Sequence, residues 1–236
     1  MIAKLTSALL AAALVSAPAA FSEEKKDAAK ALPKVVEPQY DGEPVPAPEG
    51  ATVLFDGKDV TGWKQGKGDG EVKWKVGDGY MEVVRGTGFL RTKEPIKGSV
   101  HLHIEWATPA EVKGSGQGRG NSGVFIGGFP EVQVLDSYEN ETYPDGQAGA
   151  LYKHSVPLVN ASKKPGEWQC YDILIERPVI EDGKVVQKAR LTVRHNNVLV
   201  QDKVEFGGNA IEGTLGLQDH GNPVRYRNIW YKPIGG

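Results

Sequence analysis

The chain of 236 residues has a single cysteine, Cys170. One cysteine excludes an intramolecular disulfide and any cysteine-based zinc site. Its setting, Trp168-Gln169-Cys170-Tyr171-Asp172-Ile173, reads as a strand without an activating neighbour, so the thiol is expected to be packed and idle. Basic surplus is also lacking. Lys plus Arg is 28 and Asp plus Glu is 30, a formal net charge of −2, which removes the electrostatic case for nucleic acid. No run approaches the ~18 apolar residues of a spanning helix, so a soluble mature protein without a stable membrane span is expected. There is no helical apolar stripe and no internal repeat. A Gly-x-Ser-x-Gly elbow and a His-Glu-x-x-His pair are both absent, which takes most of the weight from serine-esterase and zincin chemistry.

Glycine (30) and proline (15) are plentiful, which argues for many turns between short strands. At the N-terminus stand Lys4, an apolar run from Ala8 to Val15, and Ala17-Pro18-Ala19-Ala20. This is the pattern of a signal peptide over residues 1–20, cut near Ala19 or Ala20, which predicts a secreted or periplasmic protein. Residues 21–50 carry Pro33, Pro38, Pro44, Pro46 and Pro48 and read as a disordered, solvated linker, with no core contribution before about Ala51.

From residue 51 to 236 the chain reads as one all-β domain. Trp74-Lys75-Val76, Gly77-Asp78-Gly79 and Tyr80-Met81-Glu82-Val83-Val84 spell a hairpin. Val100–Trp106 alternates, with Leu102, Ile104 and Trp106 on one face and His101, His103 and Glu105 on the other. Later strands are expected at Val124–Ile126, Glu131–Asp136, Trp168–Glu176, Ala189–His195, Val198–Gln201, Thr214–Gln218 and Arg225–Tyr231, which suggests an antiparallel sandwich. Gly114-Ser115-Gly116-Gln117-Gly118-Arg119-Gly120 opens no helix and has Arg119 where a nucleotide fingerprint needs glycine; a mobile hairpin loop beside a site is the better reading. Asn140 and Asn160 sit in glycosylation acceptor patterns.

Several segments could carry chemistry. On a strand, Glu131 and Gln133 share one face while Val132 and Val134 enter the core. In Leu215-Gly216-Leu217-Gln218-Asp219-His220, the leucines point inward and Gly216, Gln218 and His220 share the other face, where glycine leaves room for a ligand. His220 among glycines and amides suits a proton carrier. Asn121-Ser122-Gly123 could present an amide to hydroxyl groups, or simply turn the chain into a strand. Arg225 and Arg227 could clamp a carboxylate or a sugar edge, or lie on a solvated strand. His101-x-His103 could chelate a metal but lacks a third ligand in sequence, so no metal site is assigned.

In order along the chain stand Leu54-Phe55-Asp56-Gly57-Lys58-Asp59-Val60-Thr61-Gly62-Trp63, Gly120-Asn121-Ser122-Gly123-Val124-Phe125, Glu131-Val132-Gln133-Val134-Leu135-Asp136-Ser137-Tyr138, Gly149-Ala150-Leu151-Tyr152, Pro165-Gly166-Glu167-Trp168, Gln218-Asp219-His220-Gly221 and Arg225-Tyr226-Arg227-Asn228-Ile229-Trp230. Over residues 51–234 this order resembles the 3-keto-disaccharide hydrolase domain family. The resemblance implies a concanavalin A-like jelly-roll sandwich of two curved antiparallel sheets with a sugar-binding concave face, and action on glycosides oxidised at C3. Glu131-x-Gln133 is similar to the Glu-x-Asp strand of retaining glucanases of that fold, but Gln133 cannot ionise, which argues against ordinary retaining hydrolysis.

A ketone at C3 acidifies the C2 proton, so a base can remove it and the C1 aglycone can leave by β-elimination. Water adding to the enone completes net hydrolysis. On this reading Glu131 and His220 form the acid/base pair, and Asn121, Gln133 and Gln218 hold hydroxyls or the enolate oxygen. Tyr152 contacts substrate, Asp136 orients a neighbour or caps a turn, and Glu105 and Arg225 are further binding candidates, Glu105 only if its strand lies in the concave sheet. No cofactor is required, although a divalent cation could polarise the ketone. The alternative is a non-catalytic carbohydrate-binding module that stacks sugar on Trp63, Trp74, Tyr138 or Tyr152; a structural adhesion domain is a third reading. Oligomeric state has no sequence signal.

Overall fold

A computed structural model of the chain describes residues 31–66, 70–207 and 212–235. The expected signal peptide, residues 1–20, and the first ten residues of the expected linker lie outside the described residues. The fold is an all-β jelly-roll sandwich. Strands of its two main sheets, numbered in chain order, are β1 (Thr52–Phe55), β2 (Trp63–Gln65), β3 (Lys75–Gly77), β4 (Tyr80–Glu82), β5 (Leu90–Thr92), β6 (Val100–Ala107), β7 (Ser122–Ile126), β8 (Val132–Val134), β9 (Gln169–Glu176), β10 (Ala189–His195), β11 (Val198–Phe206), β12 (Leu215–Leu217) and β13 (Arg225–Pro233). One sheet has five strands in the order β8-β7-β12-β5-β2. The other has eight, in the order β11-β10-β9-β6-β13-β4-β3, with β1 also paired to β13.

The β3–β4 hairpin forms as its sequence predicts, pairing Lys75 with Glu82 and Gly77 with Tyr80. Its turn needs two positive φ angles, and Asp78 (φ 53°) and Gly79 (φ 82°) supply them. Strict alternation on β6 sends Leu102, Ile104 and Trp106 into the inter-sheet core, where they meet Val124, Val132, Leu215 and Leu217 from the five-stranded sheet. Two core tyrosines reach across that core to the opposite sheet. Tyr171 donates its hydroxyl to the Gln133 carbonyl at 2.6 Å, and Tyr226 donates to Ser122 Oγ at 2.6 Å. A buried phenol satisfied in this way couples the two sheets while leaving no orphaned polar atom.

The structure corrects the expected linker. Residues 33–48 are packed as an extended strap against the outer side of the eight-stranded sheet. Lys34–Val35 pairs in parallel with Val159–Asn160, and Tyr40 is 5% exposed. The Val45 N–H donates to Glu105 Oε1 at 2.8 Å, and the Val45 carbonyl accepts from Asn228 and from the Trp230 indole. Proline suits a strap of this kind, because its extended φ is preset and few backbone donors are left to satisfy. The glycosylation patterns are also spent on structure. Asn140 donates to the Asp136 carbonyl at 2.6 Å and Asn160 to the Ser137 carbonyl at 2.8 Å, both buried.

Candidate active site

The solvent side of the five-stranded sheet collects the chemistry. Val132 and Val134 of β8 point into the core, so Gln133 and the preceding Glu131 face outward. Across from Gln133 on β7 lies Gly123. A Cβ at Gly123 would run into the Glu131 carboxyl group, so glycine is what allows the Glu131 side chain to lie over this strand. Glu131 is half-buried and forms no hydrogen bond or ion pair through its carboxylate with the described residues. Burial alone pushes its pKa from 4.5 up to about 7.

Three amides line the floor beside it. Gln133 Nε2 donates to Gln117 Oε1 at 3.2 Å and to Asn121 Oδ1 at 3.3 Å, and Asn121 Nδ2 donates to the Gln117 carbonyl at 2.7 Å. Gln218 is half-buried next to Gly123, whose carbonyl accepts the Gln218 N–H at 3.0 Å. The side-chain Oε1 of Gln218 is buried without a partner among the described residues. Along the β8 edge, the Tyr152 N–H donates to the Glu131 carbonyl at 2.9 Å. The Tyr152 and Tyr143 hydroxyls are hydrogen-bonded to each other at 2.6 Å, and Lys153 Nζ sits 3.2 Å from the Tyr143 ring centre. Burial, then the Tyr152 contact, then the negative field of Asp145 and Glu131 hold the Tyr143 phenol well above its ordinary value, so it remains a proton donor.

Of the expected residues, Glu131, Gln133, Asn121, Gln218 and Tyr152 therefore come together. His220 lies exposed in the loop after β12, two positions beyond Gln218, and makes no hydrogen bond to Glu131. The loop is held by Asp219, whose carboxylate accepts the N–H groups of Gly88 and Gly221 at 2.9 Å. Gln133 and Asn121 are nearly inaccessible, 1% and 3% exposed, so they shape the floor more than they reach outward. Asp136 is buried, with its carboxylate accepting from Arg119 Nε at 2.6 Å and from the Tyr138 N–H at 3.3 Å. Sequence reasoning passed over Gln117 and Tyr143. The glycine-rich loop expected to be mobile is pinned by Gln117, which bonds the Gly146 carbonyl at 2.8 Å, and by Asn140, which bonds the Gly116 N–H at 2.8 Å. No local pattern announces either residue, because both are brought in by loops.

Glu105 and Arg225 belong elsewhere. They lie on the outer face of the eight-stranded sheet, on the opposite side of the sandwich from Glu131. Glu105 is buried in a polar chain. His101 Nε2 and His103 Nδ1 meet Asp172 Oδ1 at 2.7 and 2.9 Å, His103 Nε2 meets Glu105 at 3.3 Å, and Arg227 Nε donates to Glu105 at 2.6 Å. Burial opposes charge on His103, yet the Asp172 and Glu105 carboxylates outweigh it and raise its pKa; burial likewise opposes ionised Glu105 but loses to His103, Asn228, the Val45 N–H and Arg227. Three of the four ring nitrogens of the His-x-His pair are thus engaged with carboxylates. No group of three or more His, Cys, Asp or Glu side chains among the described residues is arranged to hold a metal ion. Trp63 and Trp74 are 2% and 4% exposed core residues, which removes them as sugar platforms.

Comparison with known proteins agrees with this architecture. The family model of the 3-keto-alpha-glucoside-1,2-lyase-like domain matches residues 50–232. A 3-keto-disaccharide hydrolase of Bacteroides thetaiotaomicron is 29% identical, with 79% of each chain covered. A crystal structure from Parabacteroides distasonis ATCC 8503, described as a candidate glycosyl hydrolase, superposes with a TM-score of 0.74 at 38% identity, covering 93% of this chain and 99% of the other. A second structure from the same organism, described in the same way, gives a TM-score of 0.60 at 22% identity over 79% of this chain and 95% of its own.

Proposed function

Because this chain belongs to the 3-keto-alpha-glucoside-1,2-lyase-like domain family, we propose that it is a carbohydrate-active enzyme that cleaves 3-keto-glycosides by C2 proton abstraction and β-elimination. The observation that carries this reading is Glu131, an unpaired, half-buried carboxyl poised near neutrality on an open sheet face. A general acid or base works best when its pKa lies near the working pH. A sugar-binding module has no use for such a group.

The steps follow from the chemistry of the ketone. Glu131 takes the C2 proton and the C2–H electron pair moves toward the C3 carbonyl, giving an enolate. That pair then forms the C1–C2 double bond as the C1–O bond breaks, and the departing oxygen takes a proton. The enone so formed, conjugated with the C3 ketone, adds water at C1 to release the free 3-keto sugar. The linked hydroxyls of Tyr143 and Tyr152 supply a donor to charge developing on oxygen, and the half-buried Gln218 side chain beside Gly123 holds a sugar hydroxyl. His220, exposed on the loop two positions beyond Gln218, is the second member of the acid/base pair. Gln133 and Asn121 hold the floor. The residue 1–20 pattern supports export, so the reaction is placed in the periplasm or outside the cell.

The test mixes the protein with a 3-keto-glucoside and, separately, its unoxidised parent, with and without chelator, and follows aglycone release and enone absorbance. Release from the keto substrate alone, lost in Glu131→Gln and His220→Ala, is expected. Enone accumulation would mark the reaction as stopping at the lyase step. Full turnover by Glu131→Gln would refute the assignment.

A further inference from the structure

A polar-aromatic cavity, ≈ 410 Å³, opens on the far side of the sandwich from Glu131, at the end of the eight-stranded sheet. We propose that it is a non-catalytic site for a neutral pyranose, either a free sugar or the end of a glycan chain. Its floor comes from outward-facing positions that the register lines up across neighbouring strands. Arg225 of β13 pairs with Ala107 of β6 on one side and with Glu82 of β4 on the other, and Arg227 pairs with Glu105.

The walls are aromatic and carry hydrogen-bonding groups of both kinds. Tyr80 and Trp168 have ring centres 6.2 Å apart at a tilt of 55°. The Arg225 guanidinium lies 4.6 Å from the Tyr80 ring centre and that of Arg227 lies 4.1 Å from the Trp168 ring centre, both within cation–π reach. Among the described residues Arg225 hydrogen-bonds through Nε, to Glu82 Oε2 at 2.8 Å, which leaves its terminal donors for a ligand. The acceptors are the Asp56 and Asp78 carboxylates and the Asn228 amide oxygen at the cavity rim. Asp56 uses Oδ1 to accept the Lys58 and Asp59 N–H groups at 2.9 and 3.0 Å, and its second oxygen remains. Pro44 of the strap closes one side.

Charge decides the ligand class. Each arginine is already matched, Arg225 by Glu82 at 2.8 Å and Arg227 by Glu105 at 2.6 Å. Lys75 shares Glu82 with Arg225 at 2.9 Å and so offsets part of the charge of Asp56 and Asp78; the lining carries both signs with no surplus that selects an anion, and a polyol meets donors and acceptors beside ring edges. Of the five tryptophans, Trp63, Trp74, Trp106 and Trp230 are 4% exposed or less, and Trp168 is the half-buried one. This is why Trp168 serves both as platform and as reporter.

The site is independent of the Glu131 chemistry, and its test reads binding without turnover. Glu131→Gln protein labelled with ¹⁵N is titrated with methyl β-D-glucopyranoside, cellobiose and sodium glucuronate, and the indole N–H resonances are followed. The Trp168 resonance is assigned by its loss in Trp168→Phe. A saturable shift confined to Trp168 with the neutral sugars, at millimolar concentration, is expected. Tyr80→Ala and Asp78→Asn, checked for unchanged melting temperature, are expected to weaken it at least roughly tenfold. No saturable shift with either neutral sugar overturns the proposal. So does a shift that persists in both variants, or one seen with glucuronate and not with the neutral sugars.

Discussion

Replacing Glu131 by Gln removes a carboxyl that the fold holds neutral at a pH where the unfolded chain would ionise it. The folded pKa is about 7 and the ordinary value is 4.5. Between those two values the native state binds more protons than the unfolded state, so native stability falls as pH rises through that window. At 1.36 kcal/mol per pH unit the full effect is at most about 3 kcal/mol. Glu131 is only half-buried, and solvent screening reduces this to about 1–2 kcal/mol. Glu131→Gln carries no such penalty. It is expected to melt with the parent at pH 4 and about 2–8 °C above it at pH 8–9, for a chain of this size. The same variant is expected to lose about 10²–10⁴-fold in kcat on a 3-keto-glucoside. Paired thermal melts from pH 4 to pH 9, with turnover measured on the same samples, check both. A melting difference that stays flat with pH would show that burial does not hold the carboxyl neutral; a stabilised variant with full turnover would separate the strained group from the chemistry.

Gly123→Ala places a methyl group where the Glu131 carboxyl now lies, so kcat should fall on the order of 10²-fold; unchanged kinetics would mean that the carboxyl position is irrelevant. Glu105→Gln leaves Arg227 and the strap without their shared anion, and chemical denaturation should report a loss of about 3 kcal/mol, with no loss arguing that the strap is held by packing alone. His195 is fully buried between Trp106 and Tyr171, and burial depresses its pKa from 6.5 to about 3. The unfolded chain takes up that proton first, so stability falls as pH drops from 6.5 toward 3, by up to about 4–5 kcal/mol. A His195→Asn variant should show a shallower acid slope in denaturation midpoints; an identical slope would refute the assignment.

Much of the fold was legible along the chain because its signals are local. Alternation on β6, the Gly77-Asp78-Gly79 turn and the valines of β8 depend on neighbours one or two residues away, and strand sterics translate them directly. The outward orientation of Glu131 and Gln133 followed from the same period. Alternation could not tell which polar face is wet. His101, His103 and Glu105 read as one polar strand face, yet His103 and Glu105 are wholly buried, because Val45 of the proline-rich strap bonds Glu105 and Trp230 stacks on His103 at 4.9 Å. Proline content told of an extended chain and not of what that chain would touch.

The site divides in the same way. Residue types, their order and the departure from a carboxylate pair at Gln133 were determined by the sequence alone. Tertiary structure decided that Asp136 is locked to Arg119, that Gln117 and Tyr143 join the floor and wall, and that Arg225 faces away with Tyr80 and Trp168. It also decided the protonation of Glu131, since desolvation is set by everything packed around a group, including a glycine on the next strand whose missing side chain makes room for it.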